Sequence, residues 1–357
     1  MPPDPASLKG TRRRWLVTGG GGFIGSHLVQ ALLDLDQEVV VLDNFLIGRK
    51  ATLDALLAEF PTKTRRLFRL VEGVICDPAA CRAAVEGCDH VLQHAALGSV
   101  PGSIDDPRQA HEVNSKGFLE ILLAARDAGV RSVVFASSSA VYGDDDAAIK
   151  TEGRVGRVLS PYAATKRSNE LFAEAFGTSY GLQTVGLRYF NVYGARQDPD
   201  GPYAAVIPKW LVSLVSGAPV HVNGDGLTTR DFCSVKDVVQ ANLRAALSGA
   251  AGAGQVFNIG SGQRTTLLDL LAELRVALAA AGVDCASQTV HGPFRAGDIR
   301  HSLADISRAR AALGYAPDFD LRRGLALAMP HYLRGAGQGR ASHHADNQIA
   351  GATPTGR

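Results

Sequence analysis

The stretch "VTGGGGFIGSHLVQALL" places Gly19, Gly22 and Gly25 at every third position. No other segment narrows the fold as much. "RWLVTG" before it reads as a short buried strand, and "SHLVQALLDL" after it as an amphipathic helix. One glycine supplies the positive φ of a tight turn. Another lets a pyrophosphate approach the backbone, and the third lets helix and strand pack closely. The helix then offers unpaired N–H groups and the positive end of its dipole to an anion. The alternative is a tight structural turn. The flanking strand and helix, and Asp43 some 18 residues on in "VVVLDN", favour a dinucleotide. A carboxylate there accepts from both hydroxyls of an adenosine ribose and repels a 2′-phosphate, so the expected cofactor is NAD rather than NADP.

Further along, β-branched runs alternate with helical patterns. "EVVVLDN", "HVLQHAA", "SVVFASS" and "TVGLRYFN" read as strands, with "EVNSKGFLEILLAARDAG" and "PYAATKRSNELFAEAFGTSYG" as helices between them. This predicts an α/β fold of the Rossmann type, a doubly wound parallel sheet. After Asn191 the chain becomes rich in Pro and Gly, with a hairpin expected in "GAPVHVNGDGLTTRDF". "FCSVKDVVQANLRAAL" and "GQVFNIG" then return to the α/β pattern. The expected organisation is an NAD-binding domain over 12–190 plus 230–260 and a smaller, interleaved C-terminal α/β substrate domain over 191–229 plus 261–333. The Gly- and Ala-rich tail 334–357 is expected to be disordered.

At 357 residues, 46% hydrophobic and 20% charged, the composition is that of a globular protein. A net charge of +2 gives no reason to expect nucleic acid or an anionic membrane as partner. "LKGTRRRW" is basic but runs straight into the first strand, so it reads as a solvated arm rather than a secretory signal. Neither a transmembrane segment nor a metal site is expected. Five cysteines, without a CxxC pair, suggest a reducing compartment, the cytoplasm.

"SPYAATK" sets Tyr162 four residues before Lys166, so on a helix the two share a face. Ser160 suits the N-cap and Pro161 the first turn. A lysine ammonium beside a phenol lowers the phenol's pKa and makes the tyrosine a usable base. Read alone, the heptapeptide could equally be a helix start with a solvated lysine.

The glycine spacing, the serine-rich strand end "ASSSAVYGD" and Tyr-x-x-x-Lys together resemble the extended short-chain dehydrogenase/reductase family, over nearly the whole chain from Trp15 to Tyr332. "LGSVPGSIDDP", "GLRYFNVYGARQDPDGPYAAVIPKW" and "GDIRHSLADI" narrow the likeness to bacterial UDP-N-acetylglucosamine 4-epimerases of surface polysaccharide pathways. The resemblance implies a catalytic group of Ser138, Tyr162 and Lys166 working with tightly held NAD, and a homodimer formed in part by the helix from Pro161. It implies cofactor contacts from the glycine turn with Phe23 and Ile24, and from Asp43, Asn44, Phe45 and Gly48 after the second strand. Ile75, His94, Ala96, Ser137, Tyr162, Lys166, which bonds the nicotinamide ribose, and Tyr189 complete that set.

For the nucleotide sugar, the resemblance implies contacts from Ser99, Ser138, Ser139, Tyr162 and Asn191. It places Arg230 and Arg295 on the diphosphate, which suits a planar guanidinium fork. Asp298 falls near the uridine ribose, and Ala205, Val206, Trp210 and Asn223 in the uridine pocket. Ser302 occupies the position where a bulky residue would exclude a large C2 substituent, so a 2-acetamido sugar is expected.

Four positions depart from the family's pattern. Val74 stands where the family has an aspartate near the adenine, and Ala140 replaces a hydroxyl. Gly102 replaces an arginine and His221 an aromatic residue. The expected activity is reversible C4 epimerisation of UDP-N-acetylglucosamine. Its alternatives are the same reaction on UDP-glucose or UDP-N-acetylglucosaminuronate, or a non-catalytic NAD sensor. A 4,6-dehydratase would need an acid/base pair where Ser139 and Ala140 stand.

Overall fold

The computed structural model describes residues 4–198, 205–294 and 299–334. Arg295, Asp298 and residues 335–357 of the expected tail lie outside them. The chain divides into two compact units. The first comprises Met1–Tyr193, Thr229–Thr265 and Ile299–Asp320, and the second Gly194–Thr228, Thr266–Asp298 and Leu321–Arg357.

The first unit is built on seven strands: β1 (Arg14–Thr18), β2 (Glu38–Asp43), β3 (Phe68–Glu72), β4 (His90–Gln93), β5 (Ser132–Ser138), β6 (Thr184–Tyr189) and β7 (Gln255–Ile259). All pair in parallel, in the order β7-β6-β5-β4-β1-β2-β3. The order reverses between β1 and β4, which opens a crevice at their carboxyl ends. Alternate residues of a strand face opposite sides of the sheet. Here both sides are buried: Trp15, Val17, Val39 and Val41 enter one core, and Leu16, Val40 and Leu42 the other. That double burial explains the near-continuous apolar runs of the central strands.

Helix α1 (Phe23–Asp34) covers the first face with Leu28, Val29, Leu32 and Leu33. Helices α2 (Pro78–Val85) and α3 (Gly117–Asp127) cover the other through Cys81, Val85, Phe118 and Leu122. Helix α4 (Pro161–Tyr180) joins that side through Ala173 and Phe176. Helix α5 (Val235–Ala246) returns to the first face with Val238, Ala241 and Ala245.

β3 is a strand that the apolar pattern missed. It is an edge strand, partly exposed, with Arg69 and Glu72 turned to solvent, so charge interrupts its hydrophobic run. The basic arm keeps Lys9, Arg12 and Arg14 exposed, as expected, but is anchored to the fold. Leu8 is buried, Arg13 Nη1 lies 3.1 Å from His90 Nε2, and Gln37 Oε1 accepts from the Arg13 and Trp15 N–H groups.

In the second unit a helix at Val206–Ser216 packs on the strand Val220–Asn223 and on a helix at Leu267–Ala280. Val220–Asn223 pairs in parallel with Thr289–Gly292, so the expected hairpin is not formed. Gly224 and Gly226, both at positive φ, turn the chain away after the first strand. Among the described residues no helix is long and apolar enough to cross a membrane.

Candidate active site

The turn after β1 closes as its spacing predicts. Gly19 sits at φ +70°, and an added Cβ would lie 2.8 Å from Ala95 N. At Gly25 a Cβ would come within 2.1 Å of the Gly19 carbonyl, so helix and turn touch backbone to backbone. Gly22 is the N-cap of α1 and brings no side chain to the cap. The first-turn N–H groups, including those of Phe23 and Ile24, therefore face the crevice as donors for an anion. Gly48 lies against the Gly21–Gly22 backbone, which seats the loop after β2 beside this turn.

Asp43 ends β2 and is buried. Its Oδ2 accepts from Gly21 N and its Oδ1 from Phe45 N, each at 2.8 Å. Each oxygen keeps a further lone pair, the acceptor capacity a ribose diol needs. Phe45 holds φ +56°, a left-handed conformation that costs energy in a bulky residue, and the Asn44 side chain accepts from Leu46 N. Beyond β3, Ile75 is buried while Val74 is 43% exposed. Asp77 accepts from Ala79 N as the cap of α2, so it does not stand in for a carboxylate at Val74. A glycine cradle closed to any Cβ, beside a buried carboxylate with spare acceptors, fits NAD. The glycine turn and α1 would hold its pyrophosphate, and Asp43 its adenosine ribose.

The strand-end serines and the Tyr/Lys pair meet at the carboxyl end of β5. Ser160 accepts from Ala163 N and Pro161 fills the first turn of α4. Tyr162 and Lys166 then face the sheet. The Ser138 hydroxyl hydrogen-bonds the Tyr162 phenol and accepts from Ala140 N. Lys166 is 3% exposed and donates to the Ala136 carbonyl at 2.8 Å, with its ammonium 5.9 Å from the Tyr162 ring centroid. Burial lowers the Lys166 pKa to about 8. Burial raises that of Tyr162 above 10, and the Ser138 bond lowers it without reversing the shift. For the phenol, desolvation outweighs the Ser138 bond. Ser139 is half-buried, one residue past Ser138.

Beside this group His94 Nε2 lies 2.9 Å from the Tyr189 hydroxyl, which also accepts from Asn242 Nδ2 at 2.8 Å. Burial drops the His94 pKa to about 3, so the imidazole stays neutral. The His94 and Ala95 N–H groups both donate to Thr18 Oγ1, which fixes the backbone leading to Ala96. Ser137, buried at the next position of β5, donates to Glu170.

Three residues that sequence reasoning missed hold α4 in place. Ser103 Oγ accepts from Tyr162 N at 3.0 Å. Asn114 lies in a π-helical turn at Glu112–Lys116, bonds Leu97 through both its side-chain atoms and reaches Thr165 Oγ1. Thr165 in turn donates to the Tyr162 carbonyl. The available signal was the polar "NS" inside a helical run, where a side chain competes with the backbone.

Several expected sugar contacts have other partners as well. Ser99 is buried and caps the helix Val100–Asp105 by accepting from Gly102 N. Arg230 Nη1 donates to the Thr229 and Ile299 carbonyls at 2.8 and 2.7 Å. Its neighbour Asp231 is wholly buried and accepts from Ser261 N, Ser261 Oγ, Gly262 N and Ala304 N. That carboxylate ties the strand carrying Arg230 and the strand following Ser302 to one turn. Asn191 is exposed and donates its N–H to the Asp231 carbonyl. In the second unit Ala205 and Val206 begin the Val206–Ser216 helix, Asn223 is exposed, and Trp210 is buried with its indole N–H on the His221 carbonyl.

Known proteins resemble this chain over most of its length. The UDP-glucose 4-epimerase of Mycolicibacterium smegmatis is 40% identical over 321 residues, 89% of this chain and 98% of that protein. The UDP-N-acetylglucosamine 4-epimerase of Methanobrevibacter ruminantium M1, solved with UDP-N-acetylmuramic acid, is 34% identical with a TM-score of 0.82, covering 90% of this chain and 99% of that one. The UDP-glucuronic acid 4-epimerase of Bacillus cereus, solved with UDP-glucuronic acid and NAD, is 28% identical with a TM-score of 0.79 at 90% and 99% coverage. Residues 15–260 match the NAD dependent epimerase/dehydratase family, and with the glycine cradle, Asp43 and the Ser138–Tyr162–Lys166 group in place, the chain belongs to that family of NAD-dependent enzymes.

Proposed function

We propose that this protein inverts C4 of UDP-N-acetylglucosamine to give UDP-N-acetylgalactosamine, reversibly. The observation that carries the reading is the grouping of Ser138, Tyr162 and Lys166 at the end of β5. Tyr162 takes the proton of the sugar 4-hydroxyl and returns it to the 4-keto oxygen after the sugar presents its other face. Ser138 hydrogen-bonds the phenol and the sugar oxygen, so the proton moves along a short path. Lys166 keeps an ammonium near the phenolate. NAD, when bound, would supply the acceptor and donor for the C4 hydride, and its positive ring would add to the charge that stabilises a phenolate. Nothing is consumed, so NAD stays with the protein.

The acetamido sugar is favoured by Ser302, a small side chain at the position the resemblance links to the C2 substituent. Arg230, and Arg295 outside the described residues, would take the diphosphate. The glucuronate-binding relative supports a second reading, C4 inversion of UDP-N-acetylglucosaminuronate by the same groups. We further infer a homodimer, supported by Leu171 and Phe172, which are 51% and 40% exposed on α4. A cytoplasmic location is supported by five free thiols.

The test is incubation of the purified protein, without added cofactor, with UDP-N-acetylglucosamine, UDP-glucose and the uronate separately, reading C4 configuration by NMR. Fastest inversion of the acetamido sugar supports the proposal, and fastest inversion of another sugar moves the substrate. If no sugar is inverted even with NAD restored, the proposal fails, and the result points to a sensor or to damage from Val74 and Gly102.

A further inference from the structure

Glu170 lies one helical turn beyond Lys166 and two beyond Tyr162 on α4, so the three side chains share a face. Its carboxylate is 2% exposed and gathers donors from two strands. Arg188 of β6 grips it as a fork, Nε to Oε1 and Nη2 to Oε2, both at 2.8 Å. Ser137 of β5 donates to Oε1 at 2.6 Å, and Arg167 to Oε2 at 2.8 Å. Burial pushes the Glu170 pKa up; the bonds from Arg188, Ser137 and Arg167 more than reverse it, and the group is ionised.

The placement of those donors matters. Ser137 and Arg188 face each other in the β5–β6 register, and the next pair along is Ser138 with Tyr189. On the other side of Ser137, Ala136 accepts the Lys166 ammonium. Arg188 Nη1 also donates to the Tyr142 hydroxyl at 3.2 Å and to the Glu152 carbonyl at 3.1 Å. Tyr142 closes the turn that begins at Ser139, and its hydroxyl donates to Asn258 Oδ1. One carboxylate thus joins the helix of Tyr162 and Lys166, the strand end of Ser138 and the strand end of Tyr189.

A buried ion pair is a poor source of stability, because desolvation offsets its attraction and apolar side chains of similar volume often do as well. What a bidentate fork supplies is direction, fixing both the depth and the rotation of its partner. We propose that Glu170, held by Arg188 and Ser137, is a positioning residue for the reaction, setting α4 so that Tyr162 and Lys166 meet Ser138 in register. This rests on the catalytic reading of those three residues. Displacement of a reacting group by an ångström costs about 10²-fold in rate.

The test is Glu170→Gln, which keeps the shape and removes the charge that holds the fork. We expect kcat, and the single-turnover appearance of reduced nicotinamide absorbance with UDP-N-acetylglucosamine, to fall roughly 10- to 10²-fold. KM and retained NAD should change by less than about threefold, a split that general loosening of the fold would not give. Should Glu170→Gln not fold, the double variant Glu170→Met/Arg188→Met replaces the pair with apolar side chains and is read the same way. Near-normal kcat in either folded variant overturns the proposal, as does failure of both to fold, which would make the pair a requirement of folding. A wild-type protein that inverts no sugar overturns the catalytic reading and this assignment together. An active wild type indifferent to Glu170→Gln overturns this one alone.

Discussion

Lys166 gives its hydrogen bond to the Ala136 carbonyl, 2.8 Å away, and stands 5.9 Å from the Tyr162 ring centroid. The lysine is held by a strand rather than by a bond to the phenol. Tyr162 is therefore separable from cofactor binding. Tyr162→Phe removes the group that accepts the 4-hydroxyl proton and leaves the glycine turn and Asp43 untouched. We expect turnover to fall by about 10² to 10⁴-fold, with co-purifying NAD retained. Steady-state kinetics and released NAD measure the two effects, and near-normal turnover would refute the assigned mechanism.

The same burial predicts that Lys166 costs stability. Its pKa in the fold is about 8 against an ordinary 10.5. A base with a lowered pKa disfavours the folded state wherever it is charged. The cost is complete below pH 8, shrinks as pH rises from 8 to 10.5, and vanishes above that. The shift corresponds to about 3 kcal/mol. Lys166→Met should therefore stabilise the cofactor-free protein at pH 7, by about 2 kcal/mol once roughly 1 kcal/mol is subtracted for the bond lost at Ala136. Urea unfolding at pH 7 and pH 10 measures this. A Met variant less stable than wild type at pH 7 would show that the ammonium is better solvated than its burial implies.

Local chemistry made the main features of this protein legible in its sequence. The turn around Gly19 and Gly25, the Ser160–Pro161 helix start and the Tyr162–Lys166 spacing each depend on residues within one or two turns of chain. β3 was not legible, because Arg69 and Glu72 on an edge strand break the apolar run that betrays the buried strands. The pairing of Val220–Asn223 with Thr289–Gly292 was not legible either, since nothing in either segment encodes a partner nearly 70 residues away. The supports of the candidate site escaped for the same reason. Ser103 meets Tyr162 N across 59 residues, and Arg188 meets Glu170 only because two strands and a helix converge.

Asp231 is the support whose loss should be most visible. Its Oδ1 accepts from Ser261 N and Oγ, and its Oδ2 from Gly262 N and Ala304 N. Asparagine would turn an NH₂ toward two N–H groups, and alanine would leave four donors unpaired. Each unpaired buried donor costs about 1–3 kcal/mol, so Asp231→Ala should lower stability by about 3 kcal/mol or more. Because Arg230 and Ser302 flank this carboxylate, the folded fraction should also show a raised KM for the UDP-sugar with NAD retention unchanged. Thermal unfolding and kinetics on the soluble protein separate the two effects. A variant as stable as wild type would mean that water replaces the carboxylate.

Val74 makes the opposite kind of prediction, a gain. Asp43 ends β2, and Val74 lies just past the neighbouring end of β3, 43% exposed, with Asp77 committed to capping α2. The resemblance places an adenine here, and a valine offers its amino group no acceptor. An exposed position lets a new carboxylate stay solvated, so Val74→Asp should fold without penalty. One added hydrogen bond of about 1 kcal/mol corresponds to roughly fivefold tighter NAD binding. Rebinding of NAD to stripped protein, followed by calorimetry, measures it, with NAD doubly substituted on the adenine amino nitrogen as the comparison. The substituted cofactor should bind wild type and variant equally, because it has no N–H to offer the new acceptor. A gain shared by both cofactors would mean that the carboxylate acts through charge on the loop rather than on the adenine.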